Sequence, residues 1–320
     1  MTGVLNENAR GGRIIGDGLH SEPGTNMQTT PKEFLQAQTE LLAAYGAQTE
    51  SQFVHLPEVN LLTHYLECGQ GDPVIMIHGG NSFAASWAPL LRPLAPYFHL
   101  FIPDRPGCGL TPMVDYRGVS FREHSAAFVR AFCDSIGIER SSVVGNSMGG
   151  YFAFAFALAQ PQRVAKLAIV GAAPLINDVI PIQYRLLSIP EVNRWVWSRI
   201  SLRGALYAHP EKLRPEVLRC AQIGASLPGA VENWLTTVEE VGAITGYRRR
   251  HSLKDEIKGI QTPTLFLQGD KDAFGTVESV RQVQKAMSNA NIQVIPDAGH
   301  VPWYDAIDPC AASLLGFLRN

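Results

Sequence analysis

Ser147 has the surroundings of a nucleophile. It lies in Val143-Val144-Gly145-Asn146-Ser147-Met148-Gly149-Gly150, and a long apolar stretch, Tyr151 to Ala159, follows. A β-branched run that stops at glycine, then serine, then two more glycines, reads as strand, sharp turn and helix in the G-x-S-x-G pattern. Such a turn holds its central residue in a strained backbone conformation, so the neighbouring positions must be small. The hydroxyl is pushed above the carboxyl edge of a sheet. The N–H groups beside it open a helix, where developing negative charge is stabilised. Acyl transfer by serine also needs a base, an acid to orient that base, and donors for the oxyanion.

His300 is the candidate base. It follows the last strand run, in Pro296-Asp297-Ala298-Gly299-His300, where the glycine lets the backbone swing the ring toward the sheet. His20, His55, His99 and His251 lie in less suitable places. The acid belongs on the turn after the preceding strand, Gly269-Asp270-Lys271-Asp272. Asp272 is preferred because it is further past the strand, and Asp270 reads as a turn-shaping residue. Asp178 is a third option. For the oxyanion, two backbone donors are required. Met148 N–H follows the nucleophile. Gly80 N–H, in the turn His78-Gly79-Gly80-Asn81, is the second, with Asn81 as the alternative. His78 reads as a structural hydrogen-bonding residue.

The elements that must position these groups follow from apolar patterning. Strands are predicted near 51–56, 60–68, 73–77, 99–103, 141–145, 165–170, 262–268 and 291–295. Helices are predicted near 30–45, 87–94, 121–136, 151–159 and 277–287, with a closing helix to Leu318. Alternation of buried strand and helix predicts a parallel, doubly wound α/β sheet. The rhythm stops at 174 and returns at 260, which predicts a helical cap over the strand ends at 174–259 and a core of 30–173 plus 260–320. Residues 1–29 are polar and Gly-rich and read as a flexible extension. The helix at 30–45 carries Phe34, Leu35, Leu41, Leu42 and Tyr45 and is expected to dock on the main body.

Composition narrows the classes. The 320 residues are 46% hydrophobic with a net charge of −2, which gives no field for nucleic acid or an anionic membrane. No 18-residue apolar run marks a membrane span. The N-terminus lacks the apolar core of a secretory signal, the five cysteines are scattered without metal or disulfide spacing, and no N-x-[ST] sequon occurs; a cytoplasmic protein is expected.

Taken in order, His78-Gly79-Gly80, Asp104-Arg105-Pro106-Gly107-Cys108-Gly109, Gly145-Asn146-Ser147-Met148-Gly149-Gly150, Gly269-Asp270-Lys271-Asp272 and Gly299-His300 resemble the α/β-hydrolase superfamily over residues 50–320. The resemblance implies the α/β-hydrolase fold, an eight-stranded, mostly parallel sheet flanked by helices with a helical cap, and a Ser147–Asp272–His300 triad. A serine at the nucleophile position sets the chain apart from haloalkane dehalogenases and epoxide hydrolases, which use aspartate there. The elbow is similar to that of carbon–carbon bond hydrolases of ring-cleavage products. Those usually carry a longer His-Gly-Gly-Gly-Pro-Gly turn and a tryptophan after the histidine, where this chain has Asn81-Ser82 and Val301. The reading is therefore a serine hydrolase of a carboxylic ester or related acyl compound, with no cofactor and no metal. A carbon–carbon hydrolase is the alternative, and a non-catalytic hydrolase-fold binding protein is the rival from another class. Tyr184, Trp195, Trp197, Tyr207 and Trp234 in the predicted cap suggest a small-molecule substrate that is apolar or aromatic. Arg248-Arg249-Arg250 reads as a solvated helix end.

Overall fold

Runs such as Val74–Ile77, Val143–Val144 and Leu167–Val170 are apolar at consecutive positions, so they must be covered on both faces. The structure, a computed structural model, describes residues 29–176, 203–243 and 246–320 together with 186, 189, 191 and 192. The predicted extension up to residue 28, and Asp178, Tyr184, Trp195 and Trp197, lie outside the described residues.

In chain order the elements begin with α1 (Pro31–Ala44), β1 (Glu50–Leu56), β2 (Leu61–Cys68), β3 (Asp72–Ile77), α2 (Ala88–Leu94), β4 (Phe98–Pro103) and α3 (Phe121–Ser135). Then come β5 (Ser141–Asn146), α4 (Met148–Ala159), β6 (Val164–Val170), α5 (Arg203–Leu206), α6 (Pro215–Ala225) and α7 (Ala230–Val241). The chain ends with β7 (Gly242–Ala243), β8 (Gly246–Tyr247), β9 (Thr264–Gly269), α8 (Val277–Ala286), β10 (Ala290–Ile295), α9 (Pro302–Asp305) and α10 (Ile307–Arg319). The large sheet has eight strands in the order β1-β2-β4-β3-β5-β6-β9-β10. β1–β2 and β2–β4 pair antiparallel, and all other pairs are parallel. This is the α/β-hydrolase fold that the sequence implied. Among the described residues no helix is long and apolar enough to cross a membrane.

Period-two alternation divides the core. Ile75, Ile77 and Val143 pack with α3, α4 and α8 on one face; Val74, Met76 and Val144 pack with α1, α2 and α10 on the other. Phe152, Phe154 and Phe156 of α4 are fully buried, each contributing about 1.5–3 kcal/mol by removal from water. All five cysteines are free and buried.

Three details differ from expectation. Helix α4 starts at Met148, directly after the serine, because Ser147 itself is its N-cap. The closing helix is interrupted at Ala306, which leaves the helical conformation with φ −145° and ψ 78°. Pro309 has no N–H to offer, so a helix must restart close before it and keep it in the first turn. Helix α1 docks on α6 as well as on the body. Phe34 meets Phe83 edge-on at 5.4 Å, and a Cβ added to Gly224 of α6 would lie 3.1 Å from the Phe34 ring. Glu40 pairs with Arg219, and the Arg214 guanidinium lies 5.0 Å over the Tyr45 ring. Between β6 and β9 the described residues are mainly helical, with β7 and β8 forming a short antiparallel ribbon.

Because one buried ring joins three elements, Phe34→Ala is expected to cost about 3–5 kcal/mol of stability. Hydrogen exchange in the variant should rise in 215–225 together with 31–44. A rise confined to α1 would show that α6 does not depend on it.

Candidate active site

The carboxyl ends of β3, β5, β9 and β10 place Gly80, Ser147, Met148, Asp272 and His300 on one edge of the sheet. At the end of β5, Ser147 has φ 51° and ψ −117°, a conformation that side-chain-bearing residues rarely adopt. Its neighbours explain how it is held. A Cβ on Gly145 would lie 2.4 Å from the Gly149 carbonyl oxygen, and one on Gly149 would lie 2.1 Å from the Ile77 carbonyl oxygen. Only glycine lets β3, β5 and the start of α4 approach this closely.

The turn after β3 passes beside the serine. A Cβ on Gly79 would come within 3.4 Å of Ser147 Cβ and 2.6 Å of Asn146 Oδ1. Buried Arg105 fixes this turn: its Nε donates to the His78 carbonyl at 2.9 Å and its Nη2 to the Gly79 carbonyl at 2.6 Å. In a trans peptide the C=O and the following N–H point opposite ways. Arg105 therefore turns the Gly80 N–H away from itself. His78 is fully buried, and its Nε2 accepts from Arg105 N at 2.9 Å. Burial, reinforced by the Arg105 charge, pushes the His78 pKa down to about 3, so the ring is neutral and Nδ1–H donates to Gly79 O. This structural role matches the sequence reading of His78.

His300 and Asp272 are both buried, with Nδ1 of the ring 2.9 Å from Oδ2 of the carboxylate. Asp272 Oδ2 also accepts from Ala172 N at 3.0 Å and Gln268 Nε2 at 2.9 Å, and Oδ1 from Phe274 N at 2.8 Å. Burial alone would raise the carboxyl pKa. The facing His300 and the backbone donors outweigh it and hold the group below its ordinary value, hence ionised. Among the described residues no hydrogen bond joins Ser147 Oγ to His300; such contacts are often loose until substrate binds. The two residues are tied instead through Asn146, whose Nδ2 donates to the His300 carbonyl at 3.3 Å and to the Val170 carbonyl at 2.8 Å.

Ser147, Met148, Gly80, Asp272 and His300 thus share one site. Asp270 is apart from it; its Oδ1 accepts from Ala298 N at 3.4 Å and steadies the loop before His300. Asn81 adopts φ 48° in the turn after β3. Of the other histidines, His99 pairs with Glu67 and His251 with Glu240. Arg250 also pairs with Glu240, and Arg248 donates to the Glu239 carbonyl.

Sequence reasoning missed the supporting residues. Asp305 accepts from Gly299 N at 2.9 Å, Ala208 N at 3.1 Å and His209 N at 3.0 Å, so one carboxylate joins the His300 loop to the segment after α5. The Phe274 ring lies 4.5 Å from the His300 ring. A Cβ on Gly80 would lie 2.9 Å from Cζ3 of Trp234, and one on Gly107 would strike Asn233, so α7 sits on the turns that hold the site. Arg105 could have been found from Asp104-Arg105-Pro106-Gly107, since a buried cation in a turn must have partners.

A strained serine at a strand-to-helix turn and a buried His–Asp couple thus stand at the ends of β5, β9 and β10 of an α/β-hydrolase fold. The sequence profile of the alpha/beta hydrolase family matches residues 74–313, and the chain belongs to that family. It is 27% identical over 292 residues to a 2-hydroxy-6-oxo-6-phenylhexa-2,4-dienoate hydrolase from Burkholderia cepacia, covering 85% of this chain and 97% of that one. Among solved structures, the meta-cleavage product hydrolase from Pseudomonas fluorescens superposes with a TM-score of 0.69 at 23% identity, covering 84% of this chain and 97% of that one. Naproxen esterase from Bacillus subtilis superposes with a TM-score of 0.72 at 16% identity, covering 92% and 99%.

The geometry separates the two aspartates. Asp272→Asn is expected to lower kcat by about 10⁴-fold, the size seen when the wrong imidazole tautomer is imposed in a well-studied triad. Asp270→Asn should change it far less. Turnover of the two purified variants checks this, and a reversed order would move the acid to Asp270.

Proposed function

We propose that the protein hydrolyses a carbon–carbon bond in a ring-cleavage product, a 2-hydroxy-6-oxohexa-2,4-dienoate with an apolar or aromatic 6-substituent. The observation that carries this is relatedness along nearly the whole length of the Burkholderia cepacia enzyme, whose name gives that substrate. It favours the carbon–carbon alternative over the carboxylic ester reading. The aromatic walls agree with it: Trp234 stands against Gly80, and Phe274 against His300.

In this reading Ser147 is the nucleophile, His300 the base and Asp272 the group that holds the imidazole tautomer. A carbon–carbon bond breaks only if the departing carbon can release its electron pair. Ketonisation of the substrate moves the 2-hydroxyl proton to C5 and creates a 2-oxo group conjugated through C3=C4. Ser147 Oγ then attacks the C6 carbonyl as its proton passes to His300 Nε2. The N–H groups of Gly80 and Met148 stabilise the oxyanion. Collapse breaks C5–C6, and the pair flows into the 2-oxo group. His300 returns the proton to that oxygen, releasing 2-hydroxypenta-2,4-dienoate. Water, activated by His300, frees the carboxylic acid from Ser147. Residues 174–259 serve as the cap, with Trp234 the part that reaches the catalytic edge.

The test is a direct comparison of substrates. With 2-hydroxy-6-oxo-6-phenylhexa-2,4-dienoate, benzoate should appear as the chromophore is lost, at a kcat/KM at least about tenfold above that for p-nitrophenyl acetate. Ester turnover without dienoate cleavage would overturn the proposal and restore the ester reading.

A further inference from the structure

A second Ser–His–Asp relay lies on the outer part of the sheet. Ser51, on β1, has its Oγ 2.8 Å from His64 Nε2, and His64 Nδ1, on β2, is 2.6 Å from Asp104 Oδ2. Ser51 is exposed, whereas His64 and Asp104 are fully buried. The register explains why they meet: Ser51 pairs with Leu66 and Phe53 with His64, so Ser51 and His64 are diagonal neighbours on one face.

The order of contacts, serine to imidazole to carboxylate, is the one that nucleophilic catalysis uses. Asp104 Oδ1 accepts from Ala84 N at 2.6 Å, and Oδ2 accepts from Leu110 N at 2.9 Å. Burial would raise the Asp104 pKa, but His64 and these donors hold it below the ordinary value, and the carboxylate is ionised. It therefore takes the Nδ1–H of His64. That contact aims Nε2 at the Ser51 hydroxyl, 2.8 Å away. Only the serine end of the relay reaches solvent.

Two further features suit an electrophile. Strand β1 is the edge of the sheet, and along an antiparallel edge strand alternate N–H groups point outward. One of the successive residues Ser51 and Gln52 thus points its N–H away from β2, along the sheet edge that an ester carbonyl would approach. On the same face Phe53, two residues along β1, is 52% exposed, and Leu62, opposite His55, continues the apolar surface further along the strand at 50% exposed. The Phe53 ring lies 5.2 Å from the His64 ring and covers it from water.

We propose that Ser51, activated by His64 and Asp104, is a second acyl-accepting serine, open to small activated esters with an apolar acyl group. Ser51 Oγ attacks the ester carbonyl and its proton goes to His64 Nε2. The C–O bond to the leaving alcohol breaks, and His64 returns the proton to that alcohol. The product is an ester of Ser51. This site does not rest on the carbon–carbon reading or on Ser147.

The experiment uses the full-length Ser147→Ala variant, so that the outcome is independent of the main site. The protein is treated with p-nitrophenyl acetate, and acetylation is mapped by peptide mass spectrometry. Ser51 should be modified about a hundredfold faster than Ser120 and Ser288, exposed serines without a histidine partner, the lower range of what a positioned base contributes. Adding His64→Gln should remove that advantage. If the double variant does not fold, the comparison of Ser51 with Ser120 and Ser288 within one protein decides. Equal acetylation of the three serines, or undiminished Ser51 acetylation in a folded His64→Gln variant, would overturn the proposal.

Discussion

The close approach of three backbones around Ser147 is the constraint on which the catalytic edge depends. β3, β5 and the first turn of α4 come together so tightly that Gly145 and Gly149 admit no side chain. The left-handed conformation of Ser147 costs of the order of 1–3 kcal/mol. It is held because α4 is bolted into the core by Phe152, Phe154 and Phe156, whose burial outweighs the strain. The strain and the greasy helix are two halves of one device. The helix supplies the Met148 N–H, and the turn lifts the hydroxyl above the sheet.

Around that point the molecule uses one electrostatic solution twice. Asp104 and Asp272 are both buried carboxylates, each kept ionised by a histidine and by backbone N–H groups. At Asp272 the couple orients His300. At Asp104 it braces the loop from which Arg105 reaches the His78 and Gly79 carbonyls. The geometry of the turn after β3 is thus set by a buried cation from the loop after β4, the next strand of the chain. α7 closes over the same turns through Asn233 and Trp234.

The strands were legible because continuous apolar runs bounded by glycine admit few other structures, and the residues of the site because they sit in turns at strand ends. Asp272 was separable from Asp270 by position alone, since the further residue on the turn reaches the neighbouring loop. What the sequence hid were contacts between distant segments. Nothing local marks Asp305 as the acceptor for N–H groups at 208, 209 and 299, or Phe34 as a partner of Gly224. The His64–Asp104 couple was equally hidden, because it depends on the antiparallel crossing of β2 beside β4. Chemical choice was the least legible: Asn81-Ser82 and Val301 depart from the turns usual in carbon–carbon bond hydrolases, while 27% identity to one such hydrolase is spread over 292 residues.

The central claim is that turnover proceeds through Ser147. Titration of the wild-type protein with an alkyl fluorophosphonate, following activity and adducts together, tests it most directly. The account predicts that activity falls in proportion to modification of Ser147 and reaches zero at one adduct there per chain. Loss of activity without an adduct at Ser147, or full activity with Ser147 modified, would contradict it.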